Sequence, residues 1–182
     1  MSEEQMIRHC APTLAGIKTG SLFACPCADA RAVSNFARAM NRRLPGKGLR
    51  VLPLRSKGGR GLLYVYRPQR LQADLNQKAS RQLLEDCGYR CPNANRCLCK
   101  LIERFAESDE FPHEIGLFLS YPPEDVYGFM HHKADAKCCG CWKVYGDVDT
   151  AKRTFERYRK CSALYMRLWS QGCSIEQLTV AV

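Results

Sequence analysis

The sequence predicts an α+β fold, a single compact domain over residues 1–182 in which a small antiparallel sheet packs with several helices. Apolar residues make up 46% of the 182 residues and charged residues 25%, which are ordinary values for one globular domain. Apolar side chains recur at helical spacing in several segments, whereas residues 49–66 have the pattern of a β-hairpin. Neither an internal repeat nor a clear linker divides the chain.

The N-terminal 28 residues are expected to be irregular, apart from a short apolar piece at Ser21–Cys25. A helix is predicted next, because apolar side chains recur with its period at Val33, Phe36, Ala37, Met40 and Leu44. Asp29 is a suitable N-cap for this helix, and Pro45-Gly46 ends it.

The hairpin is predicted from two short apolar runs, Leu49–Leu54 and Leu62–Tyr66. The glycine-rich segment between them suits a tight turn, and Pro68 ends the second strand. Tyr64 and Tyr66 fall on the same side of that strand, since side chains alternate along it, and we expect this aromatic face to be exposed.

The second half of the chain is predicted to be mostly helical. Leu98, Leu101 and Phe105 mark an amphipathic helix, whereas Ile115–Leu119 suits either a buried strand or a helical turn. Further boundaries are a helix start at Pro122-Pro123, a strand at Cys141–Tyr145, a helix capped by Asp147, and a capping box that begins at Ser174.

Positive charge is concentrated in one part of the sequence. Eleven basic residues and no acidic ones lie between Arg31 and Arg70, whereas the rest of the chain holds 17 basic and 18 acidic residues. Such asymmetry indicates an anionic partner, either a nucleic acid or another phosphoanion. The predicted anion-binding residues are Arg55, Lys57, Arg60 and Arg67, with Tyr64 and Tyr66 available for base stacking.

No membrane partner is expected. The longest apolar runs are far too short to cross a bilayer, and the N-terminus opens with acidic residues where a signal peptide has basic ones. The sequence therefore predicts a soluble, cytoplasmic protein.

Twelve cysteines in a chain with no export signal are expected to be reduced thiols, metal ligands or redox-active pairs. Zinc or iron are the metals that would suit the six candidate ligands, which are Cys87, Cys91, Cys97, Cys99, Cys139 and Cys141. The spacing of the first four matches neither a zinc ribbon nor a ferredoxin. The alternative is therefore a set of reduced, partly buried thiols.

Two histidines stand next to a second reactive group, in His9-Cys10 and His113-Glu114. We predict a cleft lined by His9, Cys10, His113, Glu114, Lys143 and Tyr145, with Trp142 packed beneath it. In this cleft His113 or Glu114 would act as a metal ligand or general base, and Lys143 would hold an anion. The alternative is a structural polar network.

Five strings in the sequence together resemble one family. They are HCAPTLAGIK at 9–18, YVYRP at 64–68, HEIGLFLSYPPEDVYGF at 113–129, CWKVYGD at 141–147 and RYRKC at 157–161. The family is an uncharacterised bacterial one, domain of unknown function 3793, seen largely in anaerobes. The resemblance implies a compact cytosolic bacterial protein and brings no activity, substrate or cofactor with it. The cysteines at 87–99 lie outside these strings.

Three functions remain open from the sequence. The first is a metal- or redox-linked binding protein with a His/Cys/Glu site. The second is a nucleic-acid or phosphoanion binder that uses the basic segment 31–70, and the third is an enzyme that uses His113, Glu114 and Lys143.

Overall fold

A computed structural model describes residues 2–108, 110–132 and 134–181, and it confirms the α+β class with a small antiparallel sheet. The helices are α1 Glu3–Leu14, α2 Ala30–Arg43, α3 Pro68–Asn76, α4 Lys78–Asp86, α5 Ala94–Glu107, α6 Ile115–Phe118, α7 Pro123–His131, α8 Val148–Ser170 and α9 Ile175–Leu178. The strands are β1 Gly20–Pro26, β2 Arg50–Lys57, β3 Arg60–Tyr66, β4 Cys138–Cys139 and β5 Lys143–Val144.

The chain divides into two units. The first unit comprises residues 1–69 and 159–182, and the second comprises residues 70–158. The sheet of β1, β2 and β3 belongs to the first unit, and the β4–β5 pair belongs to the second. Within the described ranges, no helix combines the length and the apolarity that crossing a bilayer requires.

The expectation that residues 1–28 are irregular is wrong, because they form α1 and β1. Ser2 and Gln5 build a capping box at the start of α1. The buried residues Met6, Cys10 and Leu14 then recur at intervals of four, which gives the helix one apolar face. A cysteine within this face and Pro12 in the last turn conceal the pattern in the sequence.

The predicted hairpin is confirmed, and β3 is the central strand in the order β1-β3-β2. Gly58 and Gly59 form its two-residue turn with φ of +58° and +71°. Both angles are in the left-handed region, as a type I′ turn requires, and glycine adopts this region without strain. Pro53 lies in the edge strand β2, beside a shift in register, where the missing N–H is tolerated.

The core of the first unit lies between one face of the sheet and the helices α1 and α2. Phe23, Val51 and Leu63 provide buried side chains from the three strands. At Gly61 a Cβ atom would lie 2.6 Å from a Val33 methyl carbon of α2. The absence of a side chain at this position therefore lets the helix approach the strand closely.

The predicted exposure of Tyr64 and Tyr66 is wrong. Tyr64 is completely buried and Tyr66 is 8% exposed, and their rings stack with centroids 4.8 Å apart. Both side chains lie on the face of β3 opposite to Gly61, since side chains alternate along the strand. They do not provide a surface on which bases could stack.

Arg67 is also interior, which corrects its assignment as an anion-binding residue. The side chain is 2% exposed. Its guanidinium donates to four backbone carbonyl oxygens, those of Thr13 at 2.8 Å, Leu14 at 2.7 Å, Lys47 at 3.0 Å and Val180 at 2.9 Å. Two of these are carbonyls at the C-terminus of α1, which lack helical partners and favour a cation. We call this arrangement the Arg67 clamp.

The remaining predicted boundaries are largely confirmed. Ile115–Phe118 is a helical turn rather than a strand, and α7 begins at Pro123. Asp147 accepts from the backbone N–H groups of residues 149 and 150 at the start of α8, and the capping box at Ser174 begins α9. The strand predicted at Cys141–Tyr145 is shorter, because only Lys143–Val144 pairs with β4.

Candidate functional site

The structure places His9 and Cys10 on α1 of the first unit. The His9 side chain is exposed, and its ring lies parallel to that of Phe23 with centroids 6.3 Å apart. Cys10 is completely buried, and this burial raises the pKa of its thiol far above the ordinary value. Cys10 is therefore protonated at neutral pH, and its proposed reactive role is wrong.

The other residues of the predicted cleft belong to the second unit. The ring of Phe129 brings two of them together. His113 meets it edge-on with centroids 4.9 Å apart, and the Lys143 Nζ atom lies 5.8 Å from its centroid. That these residues share a cleft with His9 and Cys10 stays a prediction.

Asp125 organises the segment around Trp142 and Tyr145. Its carboxylate is 3% exposed and accepts from Trp142 Nε1 at 2.7 Å, from the Tyr145 N–H at 2.7 Å and from the Gly146 N–H at 2.8 Å. The Trp142 ring also packs on Tyr121 and Phe155. This geometry gives Trp142 a structural role. No local sequence pattern indicates this role of Asp125, because its three donors lie 17 to 21 residues later in the chain.

Glu114 lies at the centre of a second buried network. Its Oε1 atom accepts from the Tyr89 hydroxyl at 2.8 Å, and Arg104 Nε lies 2.8 Å from the same oxygen. Glu114 is only 2% exposed, and both burial and the nearby carboxylate raise the pKa of Tyr89 well above its ordinary value. The carboxylate is thus held by two donors, which suits a positioning role better than that of a general base.

A cavity of about 460 Å³ opens beside this network. His113 and Glu114 line it, as do Arg104 and Lys100 from α5. Neither cation stands out in the sequence, because arginine and lysine on the polar side of an amphipathic helix are ordinarily solvated. No local signal distinguishes Arg104, whose partners Tyr89 and Glu114 lie elsewhere in the chain.

The four cysteines between Cys87 and Cys99 do not form one metal site. Cys97 and Cys99 are two positions apart on α5, which places them on opposite sides of the helix. Accordingly Cys97 is buried and Cys99 is exposed. Across the described ranges, no three His, Cys, Asp or Glu side chains converge as metal ligands would, and this includes the pair Cys139 and Cys141.

The environments of the thiols differ strongly. Burial, together with the neighbouring Cys91, raises the pKa of Cys97 to about 12. Burial, together with Glu114, raises that of Cys87 to about 11. Cys99, Cys139 and Cys141 are exposed. Since the thiolate is the nucleophile, the buried thiols are the inert ones.

These environments predict a pattern of alkylation. A short pulse of iodoacetamide at pH 7.5 should modify Cys99, Cys139 and Cys141, whereas Cys10 and Cys97 should react only after denaturation. Peptide mass spectrometry measures both sets, and a denatured sample without reductant is the control. Rapid labelling of native Cys10 would contradict its burial. Cysteines that resist alkylation even in the denatured protein would contradict the prediction of reduced thiols.

The basic segment does not form one surface. Three exposed arginines of α2 lie on one side of the helix, because the second and third follow the first by 7 and 11 positions. They are Arg31, Arg38 and Arg42, and we call this row the arginine stripe. The side chains of these three arginines make no hydrogen bond or ion pair with any residue that the structure describes.

The predicted anion-binding residues Arg55, Lys57 and Arg60 lie on the other side of the sheet. Arg55 is paired with Leu62, and Lys57 is paired with Arg60. Cross-strand partners share a face, and Leu62 and Arg60 each neighbour Gly61, whose position faces α2. These cations therefore point away from the face on which α2 packs.

Two other cations of the basic segment 31–70 make hydrogen bonds or ion pairs within the first unit. Arg67 forms the clamp described above. Arg43 pairs with Glu3 and with Glu176, whose Oε1 lies 2.6 Å from Arg43 Nε. The hydrogen bond from Arg43 lowers the pKa of Glu176 to about 2. The positive charge on α2 that no described carboxylate neutralises is therefore that of the arginine stripe.

The chain was compared with protein families, curated proteins and solved structures. A family model described as protein of unknown function (DUF3793) matches residues 6–179. This range contains all five strings on which the resemblance rests. No curated protein and no solved structure matches the chain.

Proposed function

We propose that this chain, which belongs to the DUF3793 family, binds the phosphate backbone of nucleic acids through the arginine stripe. The family has no assigned activity, so the proposal depends on the residues of this chain. One observation carries it. Three exposed arginines form a row on α2 with no carboxylate partner among the described residues, within forty residues that contain no acid.

The dimensions of the stripe suit a polyanion. With a rise of about 1.5 Å per residue, Arg31 and Arg42 are separated by about 16 Å along the helix axis. Double-stranded DNA presents one negative charge about every 1.7 Å of its own axis, so all three guanidinium groups can meet phosphates at once. Arginine also matches the geometry of a phosphate with two parallel hydrogen bonds.

The stripe does not stabilise the fold. Arg38 and Arg42 are four positions apart, and like charges at this spacing destabilise a helix by about 0.2–0.5 kcal/mol. The apolar face of α2 provides the packing, through Val33, Ala37 and Met40. Three like charges kept on the opposite face therefore favour a role in binding.

Sequence-independent binding is expected. Tyr64 and Tyr66 are buried, which leaves no aromatic surface for bases on the hairpin. Contacts to phosphates position a protein on a nucleic acid but do not read its sequence. We therefore expect duplexes of different sequence to bind alike.

The salt dependence of binding tests the proposal. If three phosphates are neutralised, the logarithm of the affinity should fall with the logarithm of salt concentration with a slope of about −2.7. Affinity for a 20-base-pair duplex should then drop about 40-fold between 50 and 200 mM salt. Fluorescence anisotropy on the full chain measures this, and the triple variant R31Q/R38Q/R42Q should show no binding.

A matched control is R8Q, which removes one exposed cation of the same unit that already pairs with Glu4 at 2.7 Å. It should bind duplex as the parent does, and the triple variant should unfold at the same denaturant concentration as the parent or at a higher one. The proposal fails if R8Q and the triple variant weaken binding equally, or if anionic lipid vesicles bind as tightly as the duplex.

The metal- or redox-linked function has less support. The described residues provide separated thiols, several of them buried, rather than a zinc or iron ligand set.

The enzyme hypothesis also has less support, because two donors hold the Glu114 carboxylate that would act as the base. We also propose a cytoplasmic location in an anaerobic bacterium. Nucleic acids are present in the cytoplasm, and its reducing conditions keep thiols reduced.

A further inference from the structure

We propose that the cavity beside Glu114 binds a small monocarboxylate, whose carboxylate pairs with Arg104. This site lies in the second unit and goes beyond the proposed function, which uses α2 of the first unit.

The guanidinium of Arg104 is fixed from three directions. Its Nε atom lies 2.8 Å from Glu114 Oε1, and its Nη1 atom donates to the backbone carbonyl of Cys87 at 3.0 Å. Its central carbon lies 5.8 Å from the centroid of the Tyr89 ring. Nη2 has no hydrogen-bond partner within the part of the chain that the structure describes. An arginine held in this way loses little freedom when it binds a ligand.

The buried carboxylate explains why Arg104 stays in place. Glu114 is 2% exposed, and Tyr89 donates a second hydrogen bond to the same oxygen. This ion pair adds little net stability, because removing the Glu114 charge from water offsets its attraction to Arg104, whose side chain is 37% exposed. Its value here is the orientation that it gives to a cation at the wall of a cavity of about 460 Å³.

The other lining residues indicate the class of ligand. Lys100 adds a second cation, and Phe111 and Met130 provide apolar surface for the body of the ligand. Glu107 and Glu110 are exposed lining residues and repel any further negative charge. A molecule with one carboxylate and an apolar body satisfies these groups, whereas a dicarboxylate or a phosphate does not.

Isothermal titration of the full chain tests this assignment, with benzoate and hexanoate as the probes and succinate and inorganic phosphate as comparators. Both monocarboxylates should bind, and both comparators should bind at least about 10-fold more weakly. R104K keeps the charge but lacks the planar pair of donors, so it should weaken benzoate binding about 10-fold or more.

Two further variants separate binding from folding. R104Q/E114Q replaces the buried ion pair by a neutral hydrogen-bonding pair, so it should fold and yet lose benzoate binding. E107Q/E110Q removes only the repelling charges, so it should bind succinate more tightly than the parent does. A merely structural role for the network does not predict this gain.

The inference is overturned if neither monocarboxylate binds, if R104K binds benzoate as the parent does, or if phosphate binds more tightly than benzoate. R31Q/R38Q/R42Q should keep benzoate binding unchanged. The arginine stripe and this cavity can therefore fail independently.

Discussion

Replacement of Arg67 by methionine is expected to lower the free energy of unfolding by at least about 2 kcal/mol, because hydrogen bonds from a buried, charged donor to four carbonyl oxygens are lost. The substitution removes the Arg67 donors from four carbonyl oxygens, those of Thr13, Leu14, Lys47 and Val180. The carbonyls of Thr13 and Leu14 keep one backbone donor each, the N–H groups of Gly16 and Val180. Each unsatisfied buried polar group costs about 1–3 kcal/mol, and these costs are not additive. Urea denaturation followed by circular dichroism measures the change as a shift in the midpoint.

Two variants show whether the geometry or the charge of Arg67 provides its stabilising effect. R67K keeps the positive charge but cannot reach four carbonyls, so it should recover less than half of the loss. R60M changes an exposed arginine of β3, the strand that Arg67 directly follows, and should alter the stability by less than about 0.5 kcal/mol. An R67M variant within about 1 kcal/mol of the parent would contradict the role of the Arg67 clamp.

Replacement of Asp125 by alanine is expected to lower the free energy of unfolding by at least about 3 kcal/mol, because three donors lose a charged acceptor. These donors are Trp142 Nε1 and the N–H groups of Tyr145 and Gly146. The same substitution should shift the fluorescence of Trp142 to longer wavelength, since its ring loses the hydrogen bond that fixes it. A background of W169F removes the other tryptophan signal.

The neighbouring Glu124 provides the matched control. It is exposed at the adjacent position of the same helix, and E124Q should change the stability by less than about 0.5 kcal/mol. D125N keeps an acceptor but places an amide N–H₂ against one of the donors, so its loss should lie between those of E124Q and D125A. Equal stability of D125A and E124Q would contradict the account of this network.

The elements predicted correctly depend on neighbours in sequence. Asp29, Asp147 and Ser174 act as caps because their acceptors meet N–H groups three residues on, and Gly58-Gly59 turns the hairpin by its own backbone preference. The sequence shows β1 only as a short apolar piece, because its pairing with β3, about forty residues later, is what makes it a strand. Its pattern alone does not encode that partner.

The candidate site is predicted less well than the helix caps, because its contacts also join residues that are distant in sequence. Sequence identifies His113 and Glu114 as reactive types, and both line the cavity of the second unit, but the other residues predicted for their cleft do not line it. It gives Arg42, Arg67 and Arg104 the same description, although one is exposed on α2, one is interior and one is held at a cavity wall. These differences come from carbonyls and carboxylates that are distant in the chain, which neither composition nor periodicity reveals.

The Arg67 clamp also bears on the order in which the chain folds. One acceptor, the carbonyl of Val180, is synthesised 113 residues after Arg67, and the N–H of Val180 donates to the carbonyl of Leu14 at 3.0 Å. Contacts of such long sequence separation close large loops and form late. The first unit therefore cannot complete its fold on the ribosome until residue 180 has emerged. The second unit is continuous in sequence and is free to fold before that time.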